Sequence, residues 1–361
     1  MRVLIVDDTI VYRSMLKMIL AEVEGIEVVG VAGNGSIALQ KVEQRHVDLM
    51  ILDIEMPVMD GLETVRELKK NGHKSIKIIM FSGVSRSSTN LTLDALAAGA
   101  DDVVAKPGLN SVSRDEAIEY IKTELISKVI QFRDVLGTES PIREEKTPRV
   151  AETTQLPPPT SGRWKSINLN NFLPRIIVLA SSTGGPHTLE DLFTDLGGPS
   201  CPPILLCQHM PPVFTAMLAD RLNKLSKISF KEGAEGDYLE RGHAYIAPGD
   251  FHMEVSVGSD ARLQLKLNQE PKQNSVRPAA DPLFISAVKV ASNHCMGIVL
   301  TGMGQDGMRG AMAIKDAGGG VFVQSKETCV VWGMPAAVYE AGAFDQIGDI
   351  EACRTIIKQT Y

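Results

Sequence analysis

Short apolar runs alternate with amphipathic stretches along most of the chain. In its first third, Val3–Val6, Val28–Val31, Leu49–Leu52, Ile76–Phe81 and Val103–Ala105 have the length and apolar character of buried strands. Between them Val11–Val23, Ser36–Glu43, Leu62–Lys70, Ser88–Ala98 and Asp115–Val135 repeat apolar residues at helical spacing. Five strand–helix pairs in that order predict a doubly wound parallel sheet. The alternation stops at residues 137–171, where Pro141, Pro148, Pro157-Pro158-Pro159 and the charged Glu144-Glu145-Lys146 predict a semi-extended linker. Trp164 fits either docking against a neighbouring domain or exposure there. Beyond it, strands are predicted at Ile176–Ala180, Ile204–Gln208, Met296–Leu300 and Val321–Gln324. Helices are predicted at His187–Asp195, Phe214–Leu225, Pro282–Ala291, Arg309–Ala317 and Ile350–Lys358. Gly242–Ile246, and Met253–Val257 with Leu263–Leu267 around Gly258-Ser259, alternate with period two and predict a hairpin attached to the main sheet. The chain thus divides into domains at 1–136 and 172–361, both α/β, the second mostly parallel with a β-hairpin addition.

Composition narrows the class. Of 361 residues 44% are hydrophobic, and 37 Lys plus Arg against 44 Asp plus Glu give a formal charge of -7. That balance argues against general attraction to nucleic acid. Five cysteines, odd in number and without CxxC spacing, fit free thiols in a reducing cytosol. The first apolar run ends in Asp7-Asp8, which excludes a signal peptide. No run approaches the ~20 apolar residues of a membrane span. A soluble, cytoplasmic protein is expected.

In the first domain the strand ends carry the chemistry. Asp7 and Asp8 follow the first strand and Asp53 the third, so three like charges share one sheet edge, an arrangement relieved by Mg²⁺ with oxygen ligands. Ser82 ends the fourth strand and Lys106 follows the fifth. A hydroxyl, an ammonium and a metal around one aspartate suit phosphoryl transfer to the carboxylate. Val-Asp-Asp (6–8), Ile-Leu-Asp-Ile-Glu-Met-Pro-Val-Met-Asp-Gly (51–61), Phe-Ser-Gly (81–83) and Lys-Pro (106–107) resemble the signature of a response-regulator receiver domain over about the first 125 residues. The resemblance implies a (βα)5 receiver with Asp53 as phospho-acceptor. It also implies Mg²⁺ on Asp8, Asp53 and the Glu55 carbonyl, with Asp7 acting through water, and Ser82 and Lys106 on the phosphoryl oxygens. One departure is Val103, which stands where many receivers carry an aromatic switch residue.

The second domain opens on Arg175-Ile-Ile-Val-Leu-Ala-Ser-Ser-Thr-Gly-Gly-Pro186, a buried strand turning into a helix. Ser181, Ser182 and Thr183 there fit a nucleophile or a helix cap. Gln208-His209-Met210-Pro211 ends the next strand, and Asp306 lies in the glycine loop Thr301–Gly307 after a later one. On one edge of one sheet, Ser182, His209 and Asp306 would supply a nucleophile, a base and an orienting carboxylate. A rival is the literal GxGxxG of Gly302, Gly304 and Gly307, which fits a nucleotide-binding module. The following strand ends in Gln324-Ser325-Lys326, without the acidic residue such a module uses. A DNA-binding output is disfavoured by the acidic balance and the lack of a compact helix-turn-helix.

Ala-Ser-Ser-Thr-Gly-Gly (180–185), Gln-His-Met-Pro-Pro (208–212), Gly-His-Ala-Tyr-Ile-Ala-Pro-Gly (242–249) and Leu-Thr-Gly-Met-Gly-Gln-Asp-Gly (300–307) resemble the catalytic domain of CheB methylesterases. The resemblance implies hydrolysis of glutamate methyl esters on chemotaxis receptors, and deamidation of receptor glutamines, through Ser182, His209 and Asp306. It needs no metal at the esterase site and implies a chemotaxis histidine kinase as phosphodonor. Ser181 replaces the family's usual alanine, but should face away because successive strand residues alternate. Oxyanion donors are expected at the N–H groups of Thr183, Gly184, Gly185 and Met303. The unphosphorylated receiver is expected to pack over the active-site edge.

Overall fold

The computed structural model describes residues 1–108, 113–138 and 163–361. The proline-rich heart of the expected linker lies outside the described residues.

Helices on both faces explain why the middle strands of the first sheet carry almost no polar residues. Its elements are β1 (Arg2–Val6), α1 (Ile10–Leu20), β2 (Glu27–Ala32), α2 (Gly35–Gln44), β3 (Leu49–Leu52), α3 (Gly61–Lys70), β4 (Lys77–Ser82), α4 (Arg86–Ala97), β5 (Asp102–Ala105) and α5 (Arg114–Ile121). The last expected helix is not uniform: α5 passes through one π-turn, Lys122–Ile126, into α6 (Ser127–Thr138). The sheet order is β2-β1-β3-β4-β5, with every pairing parallel. Asp60 and Glu63 form a capping box at the start of α3. There Gly61 is required by packing, since a Cβ would lie 2.3 Å from the Asp53 carbonyl oxygen.

The second unit contains β6 (Ile176–Ser181), α7 (Gly185–Phe193), β7 (Ile204–Gln208), α8 (Phe214–Leu225), β8 (Ser229–Glu232), β9 (His243–Ile246), β10 (His252–Val257), β11 (Leu263–Asn268), α9 (Ala280–Ala291), β12 (Cys295–Val299), α10 (Met308–Asp316), β13 (Gly320–Gln324), α11 (Met334–Glu340), β14 (Gln346–Gly348) and α12 (Ile350–Lys358). Seven strands run parallel in the order β14-β13-β12-β6-β7-β9-β8. The chain fills one side of β6 first and then returns to fill the other from β12. Strand order therefore reverses between β6 and β12, and the crevice at their carboxyl ends is the place where such sheets bind and react.

Three elements escaped the periodicity. Strands β8 and β14 have four and three residues, too few to show alternation, and α11 opens on a Met-Pro step. The expected hairpin, β10 with β11, forms its own two-stranded sheet instead of joining the main one. Strand β10 faces α9, where Val255 N–H donates to Ser286 Oγ at 3.0 Å. The end of the expected linker is also docked. Trp164 Nε1 donates to Asp316 at 2.7 Å, Arg163 stacks 4.7 Å from the indole, and Ile167 N–H donates to Asp345 at 2.7 Å.

The two units meet along α4, which lies on α7 and α8. Leu93 and Leu96 of α4 share one buried cluster with Leu189 and Leu192 of α7. Arg221 of α8 pairs with Asp94 of α4 and Glu190 of α7.

Candidate active site

Ser182 leaves β6 at the switch point, 7% exposed, with its N–H bonded to the Thr301 carbonyl at 3.0 Å. Ser181 turns into the core, as strand alternation requires, and its hydroxyl donates to Gln208 Oε1 at 2.7 Å. Gln208 Nε2 donates back to the Ser182 carbonyl at 2.9 Å and to the His209 carbonyl at 3.3 Å. This buried amide ties the end of β6 to the end of β7. Its role is invisible in sequence because only the pairing of those strands creates it.

His209 Nε2 lies 2.8 Å from Asp306 Oδ2. Asp306 is buried, and the start of α9 holds it: Ala280 N–H donates to Oδ2 at 2.5 Å and Asp281 N–H to Oδ1 at 3.2 Å. Burial pushes its pKa up, but the His209 contact and these N–H groups outweigh burial and hold it below the usual range. An ionised carboxylate only accepts, so Nε2 carries a proton, and in the neutral imidazole the lone pair then lies on Nδ1. No hydrogen bond joins Ser182 Oγ to His209 among the described residues. Both line one cavity of about 640 Å³, together with Asp306 and Met303.

The expected oxyanion donors divide into two groups. Gly184 N–H donates to the Asp101 carbonyl at 2.8 Å and Gly185 N–H to the Ser182 carbonyl at 2.8 Å, so neither is available in this state. The N–H groups of Thr183 and Met303 carry no hydrogen bond among the described residues.

The nucleotide reading of Gly302–Gly307 gives way to packing. A Cβ on Gly302 would lie 2.5 Å from Met334 Sδ and 2.8 Å from Ser182 Cβ, so the glycine admits the serine turn. Asp306 adds negative charge where a pyrophosphate would sit. The Gln324 side chain is committed to Thr301 N–H at 2.7 Å and the Thr328 carbonyl at 2.9 Å. Cys207 lies near His209 and Asp306. Burial and the charges of Asp306 and Asp281 push its thiol well above the ordinary value, which keeps it protonated and inert. All five cysteines are free.

On the first sheet, carboxylate oxygens of Asp7, Asp8 and Asp53 lie within 4.8 Å of one another. Lys106 Nζ stands 2.7 Å from both Asp7 Oδ2 and Asp53 Oδ2. One buried ammonium thus bridges two carboxylates and neutralises only part of the charge that Asp7, Asp8 and Asp53 bring together. Burial pushes Asp53 up to about 6 against the pull of Lys106, and it raises Asp7 as well. Three crowded carboxylates, two of them buried, are an all-oxygen donor set that a hard divalent cation fits. Glu55 is exposed at the rim, and Ser82 is buried with Thr92 Oγ1 2.8 Å from its hydroxyl.

The first unit roofs the cavity. Thr183 Oγ1 donates to Asp102 Oδ2 at 2.5 Å, and Lys128 Nζ lies 2.6 Å from the other oxygen of Asp102. Lys272 Nζ pairs with Glu124 at 2.7 Å. Met303 and Val331 are buried in the same cluster as Ile126 and Val129. Val103, 2% exposed, faces this cavity.

Comparison with known proteins bears on both units. A family described as CheB methylesterase matches residues 177–357, and one described as response regulator receiver domain matches residues 3–118. A protein-glutamate methylesterase/protein-glutamine glutaminase of Trichodesmium erythraeum is 41% identical, over 96% of this chain and 95% of its own. One from Caulobacter vibrioides is 38% identical over 98% and 99%. The crystal structure of the Thermotoga maritima CheB methylesterase catalytic domain superposes with a TM-score of 0.50 and 38% identity, covering 52% of this chain and 99% of that one.

Proposed function

The chain belongs to the CheB methylesterase family, and from that premise we propose a phosphorylation-activated protein-glutamate methylesterase and protein-glutamine deamidase. Its substrates are chemotaxis receptors, and its catalytic residues are Ser182, His209 and Asp306. Residues 1–136 form the receiver, 137–171 the connector and 172–361 the catalytic domain. The observation that carries this reading is the buried His209–Asp306 pair, which shares one cavity with Ser182 at the switch point of the sheet.

The chemistry follows from the proton positions. His209 Nδ1 takes the Ser182 proton as Oγ attacks the γ-carbonyl carbon of the glutamyl ester. The N–H groups of Thr183 and Met303 receive the oxyanion, each such donor contributing about 3–4 kcal/mol in the transition state. The acyl C–O bond breaks and methanol leaves with the proton from His209. Water then attacks the acyl-enzyme by the same steps and releases a glutamate carboxylate. With a glutamine substrate ammonia leaves, and its protonation by His209 is obligatory.

In the receiver, Asp53 takes a phosphoryl group from a histidine kinase, with Ser82 and Lys106 contacting its oxygens. Asp8, Asp53 and the Glu55 carbonyl, with Asp7 through water, would hold Mg²⁺, which would neutralise charge at the phosphoryl group. Phosphorylation shifts the population away from the roofed arrangement. The membrane enters only through the substrate: no helix among the described residues is long and apolar enough to cross one.

Methanol release from methylated receptor membranes, with and without a small-molecule phosphodonor, tests the whole reading. Release that the phosphodonor raises is expected, and no release under either condition would refute the activity. Two variants separate regulation from chemistry. Asp53→Asn should leave basal release unchanged and abolish the response to phosphodonor. Asp102→Ala removes the acceptor of the Thr183 hydroxyl and should raise unphosphorylated release about 5-fold or more, the lower end of ordinary coupling energies. Unchanged basal release in Asp102→Ala would show that this contact does not hold the roof closed.

A further inference from the structure

Asp306 does not stand alone behind His209. A second carboxylate, Asp281, is 1% exposed against 2% for Asp306, and the catalytic steps do not use it. Its Oδ1 accepts Gly310 N–H at 2.8 Å, which pins α10 to the start of α9. Between the two acids reaches one neutral group, the carboxamide of Asn274. Its Nδ2 lies 3.0 Å from Asp306 Oδ1 and 3.2 Å from Asp281 Oδ2, so each of its two hydrogens serves one acid.

The backbone is built to aim it. Gln273 and Val276 exchange hydrogen bonds at 3.1 and 2.9 Å, closing a two-residue turn. Asn274 and Ser275 at its tip have φ of 51° and 67°. Glycine is the least strained residue in that left-handed pair, and asparagine is among the few others that tolerate it. Here asparagine also supplies the side chain that glycine lacks.

With Asn274 in place the oxygens of Asp306 are fully committed: Oδ2 to His209 and Ala280, Oδ1 to Asp281 N–H and Asn274. We propose that Asn274 is a positioning residue of the esterase, strapping Asp306 and Asp281 together across the cavity wall and setting the angle at which Asp306 meets His209. Without the strap no side-chain donor stands between the two buried carboxylates, and Asp306 Oδ1 keeps only the 3.2 Å bond from Asp281 N–H, which loosens the angle of the carboxylate plane. Burial and the Asp306 charge already push Asp281 above the usual range, consistent with two acids that resist sharing the site unaided. The inference rests on the Ser182–His209–Asp306 reading.

The test uses the full-length protein with saturating phosphodonor and methylated receptor membranes. Asn274→Ala should lower kcat by up to about 100-fold, the scale of a misplaced catalytic group, with KM unchanged. Asn274→Asp should lower kcat at neutral pH and recover relative to Asn274→Ala as pH falls, because only a protonated carboxyl can donate as the amide does. The charged groups around position 274 are Asp281 and Asp306 in contact with it, His209 beyond Asp306 and Arg309 beyond Asp281, Lys272, Arg277 and Asp250 along the cavity wall, Asp102, Glu124 and Lys128 of the roof, and Glu340 of α11. The two acids in contact oppose ionisation of the new carboxyl, against the pull of Lys272 and Arg277, so its protonation accompanies the fall in pH. Native kcat in both variants overturns the proposal. So does an equal, pH-independent loss with a lowered melting temperature, the mark of a purely structural role. Ser182→Ala as a parallel arm separates the failures: if it is inactive while Asn274→Ala is native, only the strap falls; if it is fully active, the triad reading falls and the strap with it.

Discussion

Ser182→Ala should reduce methanol release by about 10⁴-fold, or about 5.5 kcal/mol of transition-state stabilisation. The size follows from what remains: the N–H groups of Thr183 and Met303 still polarise the carbonyl, but water must replace an oriented hydroxyl beside His209. Loss of the fold does not explain such an effect, because the Ser182 hydroxyl faces the cavity and donates no hydrogen bond among the described residues. The neighbouring serine cannot substitute. Ser181 Oγ is buried and committed to Gln208, on the opposite face of β6. Ser181→Ala therefore serves as the control. It leaves Gln208 Oε1 without its donor and should lose activity only as far as Gln208 loosens the ends of β6 and β7. The decisive measurement is kcat with saturating phosphodonor, so that closure by the receiver does not mask the chemistry. A Ser182→Ala variant within tenfold of native would remove the hydroxyl from the reaction.

Periodicity showed where the strands end, and the residues proposed to react stand at those ends. The placement of Asp7, Asp53, Ser82, Lys106, Ser182 and His209 at strand ends was therefore legible from the sequence. Residues that act through them were not. Gln208, Asn274, Asp281 and Gln324 matter because of what the pairing of β6, β7, β12 and β13 brings beside them, and no local pattern encodes that pairing. The closed interface was legible only as an expectation. Its contact with the Ser182–Gly185 turn comes from Asp101 and Asp102, at the start of β5, whereas Lys106 pairs with Asp53 at the other end of the same strand. The GxGxxG spacing misled for a related reason: its first glycine makes room for Ser182, a requirement set by a segment more than a hundred residues away.

Asp306→Asn should cost up to about 10⁴-fold in kcat, as much as losing the nucleophile where the amide corrupts the proton on His209. Four donors converge on the native carboxylate: His209 Nε2 and Ala280 N–H on Oδ2, Asp281 N–H and Asn274 Nδ2 on Oδ1. An amide offers one oxygen. If its NH₂ takes the Oδ2 place, it opposes Ala280 N–H and drives His209 to accept at Nε2, which moves the ring proton to Nδ1 and removes the lone pair that should take the serine proton. If its NH₂ takes the Oδ1 place, it opposes Asp281 N–H and Asn274 while the tautomer survives. Either way a buried donor loses its acceptor, at about 1–3 kcal/mol of stability. The pH dependence has a definite sign. Asp306 is held below the usual carboxylate range in the folded protein, so its ionised form adds stability above about pH 4 that is lost as pH falls through the folded value. The difference in melting temperature between native and Asp306→Asn protein should therefore shrink as pH drops below about 4. A constant difference there would mean that Asp306 is not the depressed carboxylate, and native kcat in the variant would mean that it does not orient His209.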